Sequence, residues 1–207
     1  MWIVIAVMLA SPAADSHRRI GALVAIVVLG TILVGASRVG NKRIISLVGI
    51  PLSGVWVLAR LLEEFGDGKR PYEHLAHFFG LAVSCTVLSA MFYRIRHTPK
   101  VTSSVISEAV TVYLVIAIAF SQLYWILNRF LAHPFSQVIP TSDSSFFLYF
   151  SMETLTGVGF GGIVAIDPYA RFVAAFESMT GVFYLAVIVA RLVSSYRPPS
   201  QSPEPGK

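Results

Sequence analysis

Residues 20–36 carry no charged side chain, and four more long apolar runs follow, at 44–62, 72–93, 105–131 and 168–196. A helix needs about 17–25 such residues to cross a hydrocarbon layer. Five runs of that kind leave little chain for anything else. Composition agrees: 55% of residues are hydrophobic and 13% are charged, about half the charge that a soluble domain uses to cover its surface. Mean hydropathy is +0.70. These values exclude an ordinary soluble enzyme, a disordered chain and a coiled coil. They describe an all-α polytopic membrane protein.

The run at 1–10 is shorter than a full span, though it can extend to Ala14. Followed by Ser11-Pro12-Ala13-Ala14, it also suits the apolar region and cleavage site of a signal peptide. No Lys or Arg precedes it, so a retained short helix is the expectation, giving about five to six transmembrane helices in all. Basic residues cluster at Arg38, Lys42 and Arg43, at Arg94, Arg96 and Lys100, and at Arg197 and Lys207. Counting spans puts all three clusters on one side, which the positive-inside rule makes cytoplasmic together with the C-terminus. The expected location is therefore the cell membrane, with lipid as the surrounding partner. The net charge of +5 serves orientation, since no basic helix or aromatic-basic platform points to nucleic acid. Cys85 stands alone, which excludes an internal disulfide framework. The proline-rich tail at 197–207 is expected to be disordered, and a domain division is expected near 97–104.

The chemistry concentrates between the last two runs. Ser142-Asp143-Ser144-Ser145 before an aromatic stretch is a helix-start signal. A helix over 144–156 is about 20 Å long, too short to cross, and it must stop at the glycines of Gly157-Val158-Gly159-Phe160-Gly161-Gly162. Its return as non-helical backbone at membrane depth is tolerated only where protein buries it or water lines it. The same glycines match the dinucleotide pattern G-x-G-x-x-G, but that pattern needs a helix directly after it. Here residues 163–167 intervene, and the helix beyond them is a membrane span.

Glu153-Thr154-Leu155-Thr156-Gly157-Val158-Gly159-Phe160-Gly161-Gly162 resembles the signature of tetrameric potassium channels, usually written E-T-x-T-T-V-G-Y-G-D. Residues 171–193 look like the inner helix of bacterial members, with Glu177 and Gly181 at the family's spacing. The resemblance covers about 105–196, and nothing in 1–104 resembles a known domain. It implies a re-entrant pore helix and selectivity filter between the last two spans, and a homotetramer that passes potassium ions with no other cofactor. Thr156, Gly157, Val158, Gly159, Phe160 and Gly161 would form the filter, with K+ held at the carbonyls of Gly157, Val158, Gly159 and Phe160. Glu153, Thr154, Tyr149, Phe150 and Gly162 would support it, and Gly181 would be the gating hinge.

Three positions depart from the family pattern. Gly157 replaces a threonine, which removes hydroxyl ligands from the innermost site. Phe160 replaces a tyrosine. Gly162 replaces the aspartate that pairs with the pore-helix glutamate, so Glu153 is expected to be neutral, or held by a backbone donor or water. A weakly selective cation channel is the nearest alternative.

Elsewhere the polar residues suggest no catalysis, so the chain is not expected to be an enzyme. A voltage sensor needs arginines at every third position of a span, and the run 72–93 has none inside it. Glu73, His74 and His77 have spacing suited to a metal or a pH sensor, though an interfacial polar rim is the expected reading. Glu177 is costly inside a span unless it is paired, and a hydrogen bond behind the pore helix is expected for it. Trp56, Tyr124 and Trp125 fit interfacial anchors or core packing. A transporter with a broken helix at 157–162 would need a second interrupted helix in a corresponding position, and none is evident.

Overall fold

The computed structural model describes residues 51, 53–58, 73–97, 103–139 and 144–195. The expected spans at 1–14 and 20–36, most of 44–62, the basic cluster at 38–43 and the tail at 197–207 lie outside the described residues. Four helices make up most of the described chain: α1 Glu73–His97, α2 Ser103–Phe130, α3 Ser144–Thr156 and α4 Pro168–Ser195. Three contain segments long and apolar enough to cross a membrane, Leu75–Tyr93, Val105–Phe130 and Pro168–Arg191. At about 1.5 Å per residue, α2 and α4 are about 42 Å long and exceed a hydrocarbon core of about 30 Å. The 13 residues of α3 do not.

The helix ends follow from local chemistry. Pro168 opens α4 where its missing N–H is no loss. Asp167 caps the same end, its Oδ1 accepting the Tyr169 N–H at 2.8 Å. The end of α3 is a Schellman motif. The Val158 N–H donates to the Glu153 carbonyl at 3.2 Å and the Gly157 N–H to the Thr154 carbonyl at 3.1 Å. Such a motif needs a left-handed residue just past the helix, and Gly157 supplies it with φ of 72°.

Helix α2 is the hub, packing against α1, α3 and α4. One core cluster joins Trp56, Val83, Val87, Val112, Leu155 and Tyr184. A second, largely aromatic, cluster holds Tyr124, Phe135, Phe147 and Phe150 near the end of α2 and the start of α3. There the Phe150 ring stands edge-on to Tyr124 at 4.8 Å and to Phe135 at 5.2 Å. Tyr124 and Trp125 are therefore core residues, 0% and 1% exposed.

The polar rim expected at the start of α1 does not hold for His77. That residue is buried, its ring stacks on Trp125 with centroids 3.8 Å apart, and its Nδ1 bonds to Gln122 Oε1. Gly80 explains how the helices come so close. A Cβ there would lie 2.9 Å from Trp56 Nε1 and 3.4 Å from Gln122 Cδ. Among the described residues, no group of three or more His, Cys, Asp or Glu is placed to hold a metal ion.

Candidate functional site

Helix α3 is fixed to both of its long neighbours through buried polar groups. Ser151, 0% exposed, faces the Ala117 carbonyl of α2 at 2.8 Å and Glu177 Oε1 of α4 at 2.5 Å. The Tyr124 hydroxyl donates to Glu177 Oε2 at 2.6 Å. Glu177 is itself fully buried, so it meets the expected hydrogen bond to the short helix and one to α2 besides. Lower on α3, the Leu155 carbonyl accepts from Tyr113 at 3.0 Å. This is one of the last carbonyls of α3, which have no partner within the helix.

Gly181 lies against that same carbonyl. A Cβ built on it would sit 1.9 Å from the Leu155 oxygen and 3.0 Å from its carbonyl carbon. Close packing thus accounts for glycine at 181, and α4 runs unbroken through it.

Past α3 the chain is non-helical as far as 167. Gly157, Gly159 and Gly161 have φ of 72°, 60° and 76°, in the region that favours glycine. A Cβ at any of them would meet nothing within 4 Å. Positive φ therefore alternates with the side-chain-bearing Val158 and Phe160, which are 55% and 74% exposed in the single chain. The carbonyls of Gly157, Val158, Gly159 and Phe160 accept no hydrogen bond from the described residues. Behind them Glu153, 6% exposed, accepts the Gly161 N–H on Oε1 at 3.0 Å, while Oε2 is buried with no hydrogen-bond partner among the described residues. The backbone donor expected for Glu153 is thus the Gly161 amide.

The other expected support residues divide. Phe150 is buried in the aromatic cluster and the Thr154 carbonyl accepts the Gly157 N–H, whereas Tyr149 is 47% exposed and lies apart from the glycine segment's hydrogen bonds. The Thr156 hydroxyl turns back to the Met152 carbonyl at 2.7 Å. Tyr113, Ser151 and the loop 134–137 are additions that the motif did not reveal. A tyrosine inside an apolar run was the available signal for Tyr113, because a buried phenol finds a partner.

Residues 110–197 match the family model described as "Ion channel". The match supports an ion channel family for this part of the chain. The matched segment takes in most of α2, all of α3, the glycine segment and α4. No curated protein and no solved structure matches the chain.

Within the matched segment, Gly157 is more than a threonine without its hydroxyl, because it closes α3. Gly157→Thr places a β-branched residue at φ of 72°, where left-handed backbone costs an L-residue about 1–2 kcal/mol. The variant is expected to unfold at a lower temperature than the parent, with faster amide exchange at 157–158. A melting point and exchange pattern matching the parent would show that the cap is dispensable.

Proposed function

We propose that this chain is one subunit of a homotetrameric, potassium-selective channel in the cell membrane. It passes K+ down its gradient through the carbonyls of Gly157, Val158, Gly159 and Phe160 and does not sense voltage directly. The observation that carries this reading is the run of four consecutive carbonyls that accept no hydrogen bond from the described residues. At membrane depth such backbone requires protein burial or a water-lined path. Four copies around an axis supply that path, and an ion that sheds its water gains the carbonyl oxygens in exchange. The C-terminal end of α3 points its partial negative charge the same way, which favours a cation.

The uncovered side of α4 supports assembly. Phe172, Phe176, Met179, Val182 and Phe183 are 54–75% exposed in the single chain, and neighbouring subunits and lipid would share that surface. In this reading 105–196 forms the pore, Gly181 remains its candidate pivot, and Gly162 marks the outer end of the filter.

Purified full-length protein in potassium-loaded liposomes tests the proposal. A tetramer that carries potassium and excludes sodium is the expected result. Equal sodium and potassium flux would replace it with a weakly selective cation channel. A monomer, or the absence of flux for either ion, would remove the pore.

A further inference from the structure

The post-filter chain is bonded to the loop that follows α2, and the sequence motif gives no hint of this. Phe135 and Ala165 form an antiparallel bridge. The Ser136 N–H donates to the Val164 carbonyl at 2.8 Å and the Ile166 N–H to the Pro134 carbonyl at 2.9 Å. The Ser136 hydroxyl accepts the Val164 N–H at 3.1 Å. One residue further along, Gln137 Nε2 donates to the Gly162 carbonyl at 2.7 Å. The strap is itself rooted, because Phe135 is 3% exposed and packs on Phe147 and Phe150 of α3.

We propose that residues 134–137 anchor the outer end of the filter, with Gln137 as a positioning residue in place of the aspartate side chain that Gly162 lacks. This rests on the filter reading above. Glu153 fixes the Gly161 amide from behind, and the strap fixes Val164 and Ile166 from outside. Gly162 and Ile163 lie between these fixed points, and Gly162 has open space where a Cβ would stand. Without Gln137, the Gly162 carbonyl loses the side-chain donor that orients it, only the buried Ile163 side chain holds the peptide group from beyond, and the adjoining Phe160–Gly161 carbonyls are less firmly oriented. A glutamine side chain spans from the strap to that carbonyl and donates to it. A glutamate of the same length carries no donor when ionised.

The experiment uses the full-length protein in lipid bilayers, with Gln137→Ala and Gln137→Glu as variants. Amide hydrogen exchange of the peptide covering 161–164 is measured beside potassium current under sustained conduction. Loss of one hydrogen bond predicts exchange several-fold to about tenfold faster in both variants. It also predicts current that declines during conduction and is restored by raised external potassium, since bound ions hold the carbonyls in place. Parental exchange at 161–164 together with parental current stability in both variants would overturn the anchor. Faster exchange in the variants of a parent that passes no potassium would support the strap and overturn the filter reading instead.

Discussion

Gly181→Ala is expected to separate α4 from the end of α3 and to abolish the ion flux proposed for this chain. The new methyl carbon would lie 1.9 Å from the Leu155 carbonyl oxygen, well inside any real contact distance. The obstacle is backbone at the end of a packed helix, so no side-chain rotation relieves it. That carbonyl is also the acceptor for Tyr113, and moving it breaks a second contact. Overpacking typically costs about 1–3 kcal/mol, occasionally more, and a backbone overlap of this depth belongs at the upper end. Thermal unfolding of the purified assembly and liposome flux are the measurements. An alanine variant with the parent's stability and an altered open probability would make the glycine a pivot rather than a packing necessity.

Glu177 gives the second large effect, and here two substitutions are expected to differ sharply. Ser151 Oγ lies near two acceptors, the Ala117 carbonyl and Glu177 Oε1, yet a hydroxyl owns one proton. A neutral carboxyl completes the set by donating to Ser151, which then donates to Ala117, while Tyr124 donates to the remaining oxygen. Glu177→Gln reproduces that pattern, its amide N–H taking the place of the acid proton. It is expected to assemble and conduct nearly as the parent does. Glu177→Ala leaves the buried Tyr124 hydroxyl without the acceptor it donates to, at about 1–3 kcal/mol for an unsatisfied group, takes from Ser151 one of its two partners, and opens a cavity as well. It is expected to lose several kcal/mol of stability and most of the assembled protein. Thermal melting and the fraction of the proposed oligomer that stays intact in mild detergent decide the matter. A glutamine variant as damaged as the alanine variant would show that the buried group acts as a carboxylate.

The lengths of the helices were legible because each depends on local composition. An apolar run bounded by charge sets a membrane-length helix, and glycine after a short aromatic helix sets a stop, so the boundaries of α2, α3 and α4 fall within a few residues of those expected. The positions of Glu153 and Glu177 were also foreseeable, since a carboxyl among apolar neighbours has few places to go. His77 was not, because its burial depends on Gly80 admitting Trp56 and Gln122 from other segments. The strap was hidden for a similar reason. Pro134, Ser136 and Gln137 look like ordinary loop residues until the chain returns some thirty positions later to pair with them. Gly157 was read as an absent ligand because the pattern compares side chains, whereas its φ belongs to helix termination.

The way α1 is attached sets how a mechanical load would travel. Helix α1 lies along α2 and reaches α4 through the Phe92 ring, which stands edge-on to Tyr184 at 6.2 Å. Tyr184 in turn donates to the Ala109 carbonyl of α2 at 2.6 Å and sits beside Tyr113, whose hydroxyl holds the last turn of α3. A sideways pull on α1 therefore acts on a short train of three aromatic rings that ends at the base of the glycine segment. The peripheral helix is coupled to that segment as a lever is coupled to a latch, through the core cluster that holds Tyr184 and Leu155.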